Sequence, residues 1–204
     1  MDLCSAGHSC WWISSHNLAF CLGHRYGKQA TIPDLEEAIK LSRTTLECYP
    51  PGYSEHIITF NSLADYLKER FLKLGKDADL DEATSLHHSA LDLCPAHHSN
   101  RSDSLLGLGL CLWHKYKERA TTPDLEEAII LGHSALQLCF PGHPHHATNF
   151  HNLADYLRDR FLKLGANADL DEAISLYQTV FSLFPAGHST WSISLNSLVY
   201  HLSF

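Results

Sequence analysis

No apolar run in the 204-residue sequence approaches the ~18 residues that a bilayer-spanning helix needs. The opening residues Met1-Asp2-Leu3-Cys4-Ser5 carry neither a basic stretch nor a long apolar core, so no secretory signal is expected. The seven cysteines are odd in number and contain no Cys-x-x-Cys pair, which argues against both a disulfide framework and a zinc site. They read instead as small buried hydrophobes in a reducing, cytoplasmic setting. With 15 Lys+Arg against 23 Asp+Glu, the net charge of −8 speaks against nucleic acid and anionic membranes as partners. There is no Gly-rich phosphate loop. Gly132-His133-Ser134-Ala135-Leu136 lacks the second glycine and the preceding strand of a nucleophile elbow. Gly7-His8-Ser9-Cys10 brings three reactive types together in sequence, and adjacency of that kind is not catalytic geometry. The chain is therefore expected to be non-enzymatic, with no catalytic residues and no cofactor.

What the sequence does contain is a repeat. Asp34-Leu35-Glu36-Glu37-Ala38-Ile39 returns at Asp79, Asp124 and Asp169, always 45 residues on and with no insertion or deletion. Leu18, Leu63, Leu108, Leu153 and Leu198 keep the same interval, as do His8, Tyr53, His98, His143 and His188. Repeats of 20–50 residues build solenoids, each unit burying its apolar face against the next. No composition shift or linker interrupts the series, so residues 1–204 are expected to form a single array.

Within one unit, Ile58, Phe60, Leu63, Ala64, Leu67, Phe71, Leu72 and Leu74 fall largely three or four apart, predicting an amphipathic helix that Gly75 ends. A second helix opens at Asp79-Leu80-Asp81-Glu82, where Asp followed by Glu fits a capping box. In the alternate units, Thr31-Ile32-Pro33 and Thr121-Thr122-Pro123 offer a rival start. The second apolar face is Leu80, Ala83, Leu86, Ala90, Leu91 and Leu93, and Pro95 stops it. Neither helix buries its stripe alone, which predicts an all-α stack of four antiparallel helix pairs. A lone helix, Thr190 to Phe204, is expected to cap the last pair.

Sixteen histidines invite a metal reading, with His143, His145, His146 and His151 the densest cluster. Several of them recur at the unit interval, which spreads them along the stack, and no metal site is expected. Arg25, Arg70, Lys115 and Arg160 recur near the end of each first helix. They are expected to pair with the acidic start of the neighbouring helix, as surface pairs worth ~0–1 kcal/mol each.

The second helix, with Glu37-Ala38-Ile39, Leu46 and Pro50, and in the last unit Ala173, Tyr177, Val180 and Pro185, resembles the second helix of a tetratricopeptide repeat. The Leu-Gly pair of that family appears as Leu18-Ala19, Leu63-Ala64, Leu108-Gly109 and Leu153-Ala154. The long unit and Pro-Gly-His loops are similar to arrays of basidiomycete fungi related to kinesin-light-chain repeats, which often precede a caspase-like CHAT domain. The resemblance implies a right-handed α-solenoid that binds a protein or peptide segment on its concave face. Carried onto this chain, that face holds His16, Asn61, Leu106, His151 and Asn196 in one row. Phe20, Asp65, Asp155 and Tyr200 belong to a second row, and Lys68, Trp113 and Arg158 to a third. The rival expectation is a regulatory or substrate-recruiting segment of a larger CHAT-type peptidase. Its motives are a start that reads as the tail of an earlier unit and an end partway through a first helix. The oligomeric state is left open.

Overall fold

The computed structural model describes residues 9–48, 55–96, 98, 100–139 and 145–183. Among these, the secondary structure is eight α-helices and no strand: α1 (Ser9–Gln29), α2 (Ile32–Cys48), α3 (Glu55–Leu74), α4 (Asp77–Leu93), α5 (Arg101–Arg119), α6 (Thr122–Leu138), α7 (His146–Leu164) and α8 (Asn167–Leu183). The fold is all-α and built of antiparallel helix pairs, as the 45-residue interval predicts. The expected helix Thr190 to Phe204 lies outside the described residues. Cα positions divide the chain into two compact units, Met1–Cys111 and Leu112–Phe204.

Tight left-handed turns set the pairing. The first helices end at Ala30, Gly75, Ala120 and Gly165, all with positive φ between 53° and 72°. Each of these residues donates its N–H to the carbonyl four residues back, on Tyr26, Phe71, Tyr116 and Phe161. Glycine enters that conformation freely, whereas Ala30 and Ala120 carry a Cβ against it. The chain then reverses across a two-residue link, which forces the next helix back along the first.

The second helices begin differently from the capping-box expectation. α4 starts at Asp77, two residues before Asp79, and its N-cap Lys76 makes no side-chain cap bond. Asp79 therefore sits inside the first turn, where its charge opposes the positive helix end. α6 follows the Thr-Pro alternative, with Thr121 at the N-cap and proline in the first turn. The Thr31 and Thr121 hydroxyls donate to the carboxylates of Asp34 and Asp124.

In unit 1 one core cluster holds Tyr26, Leu35, Ile39, Leu63, Ala64, Leu67, Phe71, Leu80, Ala83 and Cys111, and a smaller one holds Ile57, Ala90 and Cys94. Ile58, Leu72 and Leu74, read from sequence as part of the buried stripe, are exposed. The α3 core stripe runs through Ile57, Leu63, Ala64, Leu67 and Phe71, and Ile58, Leu72 and Leu74 fall off its side. Leu93 of α4 is likewise exposed. Polar residues enter the core by bonding backward along their own helix. Thr45 donates to the Leu41 carbonyl at 2.8 Å and Thr84 to that of Leu80 at 2.8 Å. Cys94, Cys111 and Cys139 are buried as expected, but Cys21, which shares a register with Cys111, is exposed.

Candidate functional site: the first-helix face

The recurring cation joins the two helices of a pair. Arg70 Nε and Nη2 each donate to Asp79 at 2.7 Å, and Nη1 reaches Glu36 of the preceding pair at 2.7 Å. In unit 2, Arg160 repeats this on Asp169 at 2.7 Å and Glu126 at 2.8 Å. Arg25 grips Asp34 through two bonds of 2.6 Å, holding that carboxyl down at a pKa of about 2 with help from the Thr31 hydroxyl. The pairing expected from sequence is present at Arg25, Arg70 and Arg160. Its surface character is corrected at Arg70, where the two side chains are only 10% and 7% exposed.

The predicted binding positions are not alike. In unit 1, Phe20 is 60% exposed and stacks beside His24. Asp65 is also exposed, and at 3.0 Å it accepts a hydrogen bond from Lys68, one turn further on. Burial works against the Lys68 ammonium, but the charge and hydrogen bond of Asp65 outweigh it and raise its pKa. His16 is half-buried with Nδ1 3.3 Å from the Thr59 hydroxyl, and burial lowers its pKa. Leu106 is half-buried on α5.

Asn61 faces inward. Its amide donates to the Ser104 hydroxyl at 2.8 Å, and its Oδ1 lies 3.1 Å from His87 Nδ1. His87 is 1% exposed, and burial pushes its pKa down to about 4. Asp65 opposes that shift, and Lys68 and His88 add to it. The imidazole occupies the space that a side chain at Gly107 would fill: a Cβ there would overlap its Cε1 and Nε2. Gly23 plays the same part for Tyr66, whose hydroxyl donates to the Ala19 carbonyl at 3.2 Å. Burial first, then Asp65 and Cys21, push the Tyr66 pKa up to about 12. Sequence reasoning missed His87, Ser104, Gly107 and Tyr66. A signal was present: His87 and Gly107 put a large residue on one helix against a small one on the next.

In unit 2 the predicted residues converge. Asp155 accepts from Arg158 and from the Tyr177 hydroxyl, with His151 Nε2 3.5 Å away. Asp159, nearly buried, accepts from Trp113 Nε1 at 2.9 Å, Lys117 at 3.1 Å and Arg158 at 3.0 Å. Burial disfavours the Arg158 charge, but Asp155, Tyr177 and Asp159 overcome it and raise its pKa. Arg158 of α7 thus bridges the two carboxylates, with Tyr177 of α8 donating to Asp155 and Trp113 and Lys117 of α5 to Asp159. Asn196 and Tyr200 lie outside the described residues. Among the described residues no group of three or more His, Cys, Asp or Glu side chains is placed to hold a metal ion. No described helix is long and apolar enough to cross a membrane.

These features define a helix-pair repeat fold of the tetratricopeptide type. The chain is similar to a Podosopora anserina protein of kinesin-light-chain type with nearly identical TPR-like repeats: TM-score 0.61, 18% identity, over 92% of this chain and 83% of that one. A single-substitution variant of that protein matches at TM-score 0.59 and 18% identity, over 89% and 80% of the two chains. YrrB, a TPR protein described as having an unusual peptide-binding site, matches at TM-score 0.52 and 16% identity, over 90% and 75%. No protein-family model and no curated protein matches the sequence.

Proposed function

We propose that the chain is a non-catalytic scaffold that docks a peptide or protein segment along the face carried by its first helices. The constant 45-residue interval supports treating residues 1–204 as one array. The observation that carries the reading is a repeated charged motif. An acid and a cation one turn apart, Asp65 with Lys68 and Asp155 with Arg158, recur on α3 and α7. Aromatic groups stand on the same rows, at Phe20 and Trp113. A face with fixed charges and rigid aromatic contacts suits an extended or helical segment presenting both polar and apolar side chains. The peptide-binding site ascribed to YrrB supports the same class of ligand. The rival role beside a peptidase domain uses the same face and differs only in that the docked segment would be a substrate.

Affinity capture with the full chain tests this. Phe20→Ala combined with Asp65→Ala truncates two exposed side chains, unlike Asn61→Ala, which would disturb the His87 and Ser104 contacts. The double variant is expected to lose bound polypeptide by roughly tenfold or more at an unchanged helical circular-dichroism signal. Undiminished capture of the same polypeptides would move the binding surface elsewhere.

A further inference from the structure

Where α4 meets α3 and α5, it places a side chain of a different kind from those on the other second helices. The four equivalent positions are Ser42, His87, Gly132 and Tyr177. His87 alone among them carries a group that gains charge between neutral and mildly acid pH. Its ring is only half satisfied: Nδ1 lies 3.1 Å from Asn61 Oδ1, and Nε2 is buried without a hydrogen-bond partner. With Oδ1 as the acceptor, the neutral ring carries its proton on Nδ1 and leaves Nε2 bare. Asn61 is committed as well, since its amide donates to Ser104 of α5 at 2.8 Å. One polar chain therefore ties α3, α4 and α5 together through a neutral imidazole.

A second proton would enter at Nε2, on the side of the ring that packs against Gly107. The charges around the ring offer it little. On α3, Asp65 favours an imidazolium and Lys68 opposes it, and Asp65 is itself bonded to Lys68. His88, the next residue of α4, also opposes it. On α5 the groups met are Gly107 and, through Asn61, Ser104, neither of which carries charge. A charged ring left at 1% exposure with an unpartnered N–H is costly, and leaving the site is the way to relieve it.

We propose that His87 is an acid-released latch: the neutral ring locks α4 to α5 in unit 1, and a proton on Nε2 drives it from its place beside Gly107 and frees Asn61. The latch follows from the packing of these helices and does not depend on any ligand. Its direction is fixed by where the ring titrates. Burial holds the folded ring at a pKa of about 4, against 6.5 for a free imidazole. The unfolded chain thus binds the extra proton first. The stability that the latch contributes is complete above pH 6.5 and is lost as the pH falls from there to about 4.

Urea denaturation of the full chain between pH 7.5 and pH 4 tests it, with His87→Gln as a side chain that bonds but does not titrate. The folded-to-unfolded ratio of the wild type should fall more steeply than that of the variant. The excess is expected to reach about tenfold per pH unit below 6.5, and roughly a hundredfold in all. Carboxylates and the other histidines, the half-buried His16 among them, titrate in both proteins and cancel. In the same acid range, amide hydrogen exchange over residues 101–111, corrected for its intrinsic pH dependence, should quicken in the wild type and not in the variant. The His87 ring proton on Cε1, followed by NMR in the wild type, needs no variant to fold and should keep its neutral shift down to about pH 4. Three results would overturn the proposal: parallel pH dependences of stability, exchange over 101–111 that ignores the substitution, or a ring that titrates near 6.5 in the folded chain.

Discussion

Gly107→Ala is expected to destabilise the protein by about 3 kcal/mol, although alanine ordinarily favours a helix over glycine by about 1 kcal/mol. The added methyl would overlap Cε1 and Nε2 of His87 and stand 2.9 Å from its Nδ1. His87 has little room to retreat, being 1% exposed and held by Asn61 at 3.1 Å. In a chain of this size the loss corresponds to a fall of roughly 6–12 °C in Tm. Gly27→Ala supplies the contrast, because nothing lies within 4 Å of a Cβ built there, and propensity alone should act. A double-mutant cycle isolates the clash: in a His87→Ala background, Gly107→Ala should become neutral or stabilising. If Gly107→Ala alone were as mild as Gly27→Ala, the close packing of α4 on α5 in unit 1 would be wrong.

Arg70→Ala is expected to cost about 3–5 kcal/mol, the penalty for stranding a buried carboxylate. The Asp79 side chain is 7% exposed, and both of its carboxylate oxygens are held by that one guanidinium. Arg70→Lys should recover only part of the loss, because one ammonium cannot reproduce a planar two-point contact while also reaching Glu36. Removing both charges, Arg70→Met with Asp79→Leu, should restore more stability than either single change predicts. Arg25→Ala, on a side chain mostly open to solvent, should have a far smaller effect. Urea denaturation of the four variants measures the order. Equal losses at Arg25 and Arg70 would contradict the buried character of the second pair.

The repeat unit, the helix pairs, the glycine stops and the Arg-to-Asp pairing were legible because each depends on short-range spacing that recurs. Gly75 and Gly165 mark left-handed turns, and Arg70 lies nine residues before its acid in the same hairpin. What was not legible depends on which neighbour a residue meets. Leu18 and Leu63 are the same residue at the same register, yet Leu63 is buried in the cluster with Leu35 and Ile39 of α2 and Leu18 is exposed. Asn61 and His151 carry side chains suited to ligand contacts. Asn61 is instead bonded to Ser104 and His87, residues remote in sequence, and His151 lies beside Asp155. Phe20 and Asp65, from the second row, remain open to solvent. The start of α4 at Asp77 was missed because its N-cap, Lys76, offers no acceptor that would have marked it.

Position within the 45-residue period, together with the neighbouring helix pair, decides what each residue of this chain does. The stabilities of Leu18→Ala and Leu63→Ala, measured side by side by denaturation, test this most directly. Leu63→Ala should lose about 2–5 kcal/mol through the cavity it leaves against α2. Leu18→Ala, on a side chain 51% exposed, should stay within about 0.5 kcal/mol of wild type. Equal losses at the two positions would contradict it.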